Sequence, residues 1–232
     1  MNYITGSLNF SVRYDEELEN IIKANSTIIT LEPKQKLSEP GDMLDYIYYI
    51  KEGRTRHIIT NLDGDEKILY TLSSGCFFGE ASNELDKHTG LYSATETKTI
   101  LYKIPRHIYH NLIDENKKFR DAILYSYANK VLLLRYEIEN LSFNSCKDRL
   151  KRLFCSAVDP SQLIDGQWYN LKICYTQYEI GTIVGGARVT ISKLINELYN
   201  ENFMRIVNRK RQVNKNEYDN YIKHNKFIME FL

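Results

Sequence analysis

From residue 26 to residue 104 the chain breaks into short alternating or aromatic-rich runs: STIITLE, YIYYIKEG, RHIITNL, EKILYTL and TILYKI. Turn signals separate them (EPGD, KEG, DGDE, SSG). Many short strands at near-even spacing predict an antiparallel β-roll or barrel, which satisfies their backbone groups by pairing. Asp63-Gly64 marks a hairpin between two of these runs, because glycine accepts the positive φ of a primed turn. Just before the block, DEELENIIKA (15–24) reads as a short helix, acidic at its start, with Leu18, Ile21 and Ile22 on one side.

Pro105 then opens a helical stretch that runs, with a break near Asp114, to about Leu141. Phe119, Ile123, Tyr127, Val131, Leu134, Ile138 and Leu141 recur at intervals of three or four, a stripe longer than one roll needs for cover. A helix packed only on its own roll would explain it. Leu124, Leu132, Leu133 and Tyr136 make a second apolar face, which favours a helix that also pairs with its twin in a dimer. The polar SFNSCKDRLKR reads as a hinge into a new helix, carried by Leu150, Leu153, Phe154 and Ala157 until Asp159-Pro160 stops it. A loop and a short strand, WYNLKI, follow. FMRIV-NRKR-QVN reads as two strands around a basic tip, and NEYDNYIKHNKFIMEFL as a last helix.

No run approaches eighteen consecutive apolar residues, so no transmembrane helix is expected. The opening MNYITGSLNF lacks a basic segment followed by an apolar one, so a cytoplasmic location is expected. Net charge is +1 but uneven: residues 147–232 hold 14 Lys and Arg against nine Asp and Glu. A basic back half suits contact with a polyanion, and a solvated basic face would produce it too. Cys76, Cys146, Cys155 and Cys174 are scattered without metal-ligand spacing and read as reduced, inert thiols, redox sensing being the lesser alternative. No metal, cofactor or catalytic constellation is expected. A cupin-like enzyme on the roll would need clustered His and Glu ligands, and Cys76, His57 and His88 do not form them.

YEIGTIVGGARVTISKLINEL (178–198) carries the most specific chemistry. A helix-turn-helix brings two helices together steeply across a short turn. Ile180 and Val184 would bury one side of the first helix, Gly181 would admit the second, and Gly185 would supply the turn. Ile191 and Leu194 would anchor the second helix. Its exposed start, Arg188, Val189, Thr190, Ser192 and Lys193, is the part that enters a major groove in this motif. Thr176 and Gln177 stand at the start of the first helix. Arg209, Lys210 and Arg211 suit a wing resting on phosphates. A roll used as a binding module without DNA contact would lack this back half.

With these features the chain resembles the CRP/FNR family of bacterial transcription regulators over nearly its whole length. Gly41, Gly53, Gly64, Gly75 and Gly79 fall where the family's cyclic-nucleotide-binding-type roll places its turns, and 178–198 is similar to its helix-turn-helix. The resemblance implies an α+β fold: an N-terminal antiparallel β-roll (1–114) that senses an effector, a long dimerisation helix (115–143) and a C-terminal winged helix-turn-helix DNA-binding domain (144–232). It also implies a homodimer on double-stranded DNA, with an effector in each roll shifting the DNA-binding domains. RNA polymerase would be a further partner if the protein activates transcription.

Members that bind cyclic AMP carry an arginine-serine pair some ten residues after the Gly-Glu of the roll, where the guanidinium meets the cyclic phosphate. Here Gly79-Glu80 is kept, but ASNELDKHTGLYSATE contains no arginine. The cysteine cluster of the iron–sulfur members is missing, and haem would need an axial ligand such as His57 or His88. The halorespiration regulators of the CprK type, which sense chlorinated phenols, are more similar. Tyr70 and Tyr127 match their phenol-pocket tyrosines and Lys130 the lysine facing the phenolate; Phe78, Gly79, Glu80, Leu91 and Tyr92 complete the expected effector site. Chlorine makes a phenol acidic, and an ammonium in a partly dry pocket favours the anion. Glu80 departs from that subgroup, which tends to place a lysine there. A halogenated phenol, another small molecule and no effector therefore all stay open, and with 18 tyrosines in the chain two matches could be core filling.

Where many relatives place a glutamate that accepts from cytosine N4, this chain has Val189, as the CprK-type regulators do. Its methyl groups suit a thymine methyl. An inverted-repeat operator with A·T-rich half-sites is expected.

Overall fold

The computed structural model describes residues 4–5, 8–9 and 15–224. The opening stretch weighed above as a leader lies mostly outside the described residues, as do the last eight residues of the predicted tail helix. Two short strands come first, β1 (Ile4–Thr5) and β2 (Leu8–Asn9). The rest forms two compact units that divide between Arg135 and Tyr136.

The first unit opens with α1 (Glu16–Ala24), capped by Asp15, whose carboxylate accepts from the Leu18 N–H at 3.0 Å. The roll follows as β3 (Thr27–Leu31), β4 (Lys36–Ser38), β5 (Tyr46–Glu52), β6 (Arg54–Thr60), β7 (Glu66–Ser73), β8 (Phe77–Phe78), β9 (Tyr92–Thr95) and β10 (Thr99–Pro105). They build two four-stranded antiparallel sheets, ordered β3-β10-β5-β8 and β4-β9-β6-β7. The mixed α+β architecture with its antiparallel roll is as expected. All five turn glycines have positive φ. Gly53 shows why: a Cβ there would lie 2.5 Å from the Lys98 carbonyl oxygen and 2.6 Å from Thr99 Oγ1.

A short helix, α2 (Glu80–Glu84), leaves β8 at Gly79, and α3 (Arg106–Glu115) follows β10. The helical stretch breaks at Asn116, which turns extended and accepts from the Phe119 N–H at 2.9 Å, starting α4 (Lys117–Phe143). The core of the unit joins the roll to these helices through Ile22, Tyr49, Phe77, Ile104, Tyr109, Phe119 and Ile123. Along α4 the apolar stripe changes character. Phe119 and Ile123 are buried, whereas Leu124, Val131 and Ile138, seven residues apart, are exposed.

The second unit contains α5 (Cys146–Ser156), β11 (Val158–Ile164), β12 (Trp168–Leu171), α6 (Gln177–Val184), α7 (Arg188–Asn200), β13 (Met204–Val207), β14 (Lys210–Asn214) and α8 (Lys215–His224). Its antiparallel sheet runs β11-β12-β14-β13. One expectation is corrected here. The segment after Pro160, read as a loop, belongs to a strand that begins at Val158. As an edge strand it pairs on one side only, and its register is interrupted between Val158 and Leu163, so the missing proline N–H costs no ladder bond.

Candidate functional site

In the second unit, Thr176 starts α6 with a capping box: its hydroxyl accepts from the Glu179 N–H at 3.2 Å, and the Glu179 carboxylate accepts from the Thr176 N–H at 2.9 Å. Gly185, at φ 71°, ends the helix in the left-handed region. The roles of the glycines differ in detail from the expectation. A Cβ on Gly181 would press on the Gly186 carbonyl oxygen of the turn at 3.2 Å, so Gly181 makes room for the turn itself. Gly186 is the residue packed against α7, where a Cβ would lie 3.0 Å from Ile191 Cδ1. Ile191, Ile195 and Leu198 bury the inner face of α7, while Leu194 is half-buried.

Arg188, Val189 and Thr190 stand exposed in the first turn of α7, Val189 by 82%, and no acidic residue shares that turn. Ser192 donates to the Gln177 side chain at 3.4 Å, and Lys193 is exposed. Arg209 sits in the tight turn between β13 and β14, where it and Asn208 both take positive φ. Lys210 is exposed, but Arg211 turns back to donate to the Tyr175 carbonyl at 2.8 Å. Two of the three expected wing cations are thus free to face outward. Sequence reasoning missed Arg149 of α5, whose guanidinium holds the Val184 and Gly185 carbonyls at 2.8 and 3.3 Å. Nothing local in the sequence signals a contact with residues so far along the chain.

In the first unit the expected effector residues do not line one open pocket. Glu80, 1% exposed, is their centre. Its carboxylate is ion-paired with Lys130 and accepts from Ser126 Oγ at 3.1 Å, and the Lys130 ammonium also donates to the Phe77 carbonyl at 2.8 Å. Burial first, and the charge of Glu80 second, raise the Tyr70 phenol and push that of Tyr127 up to about 12. Tyr70 packs against the His57 ring at 5.0 Å, and Tyr127 packs on the core cluster. Phe78 stacks on Tyr48 at 4.7 Å. Leu91 is tied to the roll through its backbone, its carbonyl accepting from Ser38 Oγ at 3.2 Å. Tyr92 pairs with Ile58 at the edge of β9.

His57 is buried between Thr55 Oγ1 at 3.0 Å and Ser93 Oγ at 2.9 Å; burial and the nearby Lys130 charge lower it to about 3. The arginines of the roll are committed: Arg54 and Arg56 both pair with Glu96 at 2.5 Å. Burial pushes the Cys76 and Cys155 thiols up, away from the thiolate. Among the described residues no group of His, Cys, Asp and Glu is arranged to hold a metal ion, and no helix is long and apolar enough to cross a membrane.

A cavity of about 570 Å³ opens beside this network, walled by Leu18 of α1, the segment from Thr71 to Phe77, and one face of α4. Of the eight expected effector residues, Lys130 alone lines it. Ser126, one turn before Lys130 on α4, is the partner sequence reasoning missed; its i, i+4 spacing to Lys130 was the available signal.

Residues 28–116 match the cyclic nucleotide-binding domain family. The chain is 26% identical over 177 residues to the cAMP-activated global transcriptional regulator CRP of Salmonella typhimurium, covering 74% of this chain and 81% of that protein. Among solved structures it shares its fold with the c-di-GMP responsive global regulator CLP of Xanthomonas campestris (TM-score 0.76, 19% identity, 86% of this chain and 99% of that one). It also shares it with OCPA-complexed CprK (TM-score 0.65, 22% identity, 86% and 91%). Residues 28–116 are thus similar to a cyclic nucleotide-binding domain, and the chain as a whole shares the fold of these regulators and is similar in sequence to CRP.

Proposed function

We propose that the protein is a cytoplasmic, effector-responsive transcription regulator that binds DNA as a homodimer and is not an enzyme. The single observation that carries this is the first turn of α7, with Arg188, Val189 and Thr190 exposed on a helix end free of acidic side chains. The exposed heptad Leu124, Val131 and Ile138 on α4 supports pairing of two copies. A two-fold dimer reads an inverted repeat, with half-sites about one helical turn of DNA apart. Arg188 bonds guanine or phosphate, Lys193, Arg209 and Lys210 hold phosphates, and Val189 packs on a thymine methyl. If the protein activates, RNA polymerase is its further partner.

The test is selection of binding sites from random DNA. Palindromic, A·T-rich sites are expected, and Val189→Glu should move the preference at one base pair per half-site towards G·C by about 1–3 kcal/mol. Wild-type sites with an obligatory G·C pair at that position would overturn the base assignment.

For the effector, we propose a small aromatic molecule such as a chlorinated phenol, rather than cyclic AMP. Lys130, paired with the buried Glu80 whose charge also acts on Tyr70 and Tyr127, supports it, as does the absence of arginine between Glu80 and Pro105. Because Glu80 already supplies the anion for Lys130, a phenol enters as the neutral acid, donating its O–H to the carboxylate, or else displaces Glu80. Thermal-shift measurements decide between ligands, since a bound ligand raises stability by mass action. A shift with 2,4-dichlorophenol that Lys130→Ala abolishes is expected. A shift with cyclic AMP instead favours the alternative, a regulator answering to another small molecule; no shift with either favours one that acts without effector.

A further inference from the structure

We propose that the cavity between α1, the Thr71–Phe77 segment and α4 is a second ligand site, for a neutral and largely apolar small molecule carrying one hydroxyl or carbonyl group. It shares Lys130 alone with the effector site proposed within the roll, and its argument does not rest on that site.

Its volume, about 570 Å³, lies in the range of sites that hold drug-sized molecules. Charge decides the ligand class. Three lysines line the cavity, and each is already neutralised: Lys117 by Asp121 at 2.6 Å, Lys118 by Asp15 at 3.0 Å, and Lys130 by the buried Glu80. An anion would have to break one of these pairs, and a cation would find both lining carboxylates taken. A neutral molecule meets no such cost.

The inner surface sets the rest. Leu18, Leu72, Phe77, Ala122 and Leu133 offer an apolar body. Against it stand three polar side chains, Thr71, Ser73 and Asn129, none of which hydrogen-bonds to a described residue. Thr71 is the most telling, because the residue is only 6% exposed, yet its hydroxyl has no hydrogen-bond partner among the described residues and opens onto the cavity. A hydroxyl that opens onto a largely apolar cavity is placed to bond a ligand hydroxyl or carbonyl. Asn129 can bond the same group from the facing side of α4. The occupant also touches Ser126 and Lys130, which bond Glu80 from α4, so it bears on the contacts that tie α4 to α2.

Two non-ionising probes test the site on the full chain by calorimetry: 2-naphthylmethanol and 1-indanone, with 2-naphthoate as the anionic counterpart. At least one neutral probe should bind with Kd below about 1 mM. Ala122→Trp, which fills the cavity, should weaken it at least about tenfold, and Thr71→Val about three- to tenfold. Tyr70→Phe, in the roll, should leave it unchanged, and naphthoate should bind at least about tenfold more weakly than the alcohol. If Ala122→Trp does not fold, the Thr71→Val comparison decides. Failure of both neutral probes to bind, naphthoate binding as tightly, no effect of Thr71→Val, or a loss with Tyr70→Phe equal to that with Thr71→Val would each overturn the assignment. Because 2,4-dichlorophenol is itself an apolar molecule with one hydroxyl, it is added to the complex with the neutral probe: independent binding of both is expected, and displacement of the probe would merge the two sites and overturn the assignment.

Discussion

Replacing Lys130 by methionine removes the countercharge of Glu80 while keeping most of the side-chain volume. Glu80 is 1% exposed and the Lys130 side chain 17%, so the carboxylate has no water to turn to. It would keep the single bond from Ser126, and the Phe77 carbonyl would lose its 2.8 Å donor. Breaking one side of a buried pair costs about 3–5 kcal/mol. Glu80→Gln is milder, about 1–2 kcal/mol, because the amide still accepts from Ser126 and the ammonium keeps Phe77 and a partial opening onto the cavity. The double variant Glu80→Gln/Lys130→Met should recover part of the loss, since no buried charge is left unpaired.

Scanning calorimetry of the full chain measures the order. Trp168, the one tryptophan, lies in the second unit, so its fluorescence reports on that unit by itself. Lys130→Met should lower the transition of the first unit by roughly 10 °C or more. A drop worth less than about 1 kcal/mol, or a double variant no more stable than Lys130→Met, would refute the coupling of the two groups.

Two further outcomes follow from the first unit. His57 stays neutral in the fold down to about 3, against 6.5 ordinarily, so the unfolded chain takes up a proton in that window and the folded one does not. Stability should therefore fall as pH drops from about 6.5 towards 3, by up to about 1.4 kcal/mol per unit from this group. His57→Gln should lose less than the wild type between pH 7 and pH 5 in urea titrations, and equal losses would contradict the burial of a neutral ring. Gly64→Ala, with positive φ but open space, should cost about 1–2 kcal/mol. Gly53→Ala, whose Cβ would meet Lys98 and Thr99 backbone and side-chain atoms, should cost at least about 3 kcal/mol, read as the difference in melting temperature between the variants.

The sequence by itself determined the local elements, because their causes are local. Strand-like runs between glycine turns specify the roll, since glycine takes a left-handed turn without the strain a side chain brings. A capping box, a left-handed Gly185 and a basic tip specify the helix-turn-helix and its wing. Proline 160 misled for an instructive reason: the residue rules out a central strand, and only the neighbour order could show that β11 is an edge. The proposed effector site depends on partners far apart in the chain. Glu80 and Lys130 are fifty residues apart, and that they form a buried ion pair follows from how α4 lies on the roll. Arg211 likewise reads as one of three equal cations until the fold turns it onto Tyr175. The cavity was invisible for the same reason. Its hydroxyls and apolar side chains come from three separate segments, and only packing decides which polar groups are left without a partner.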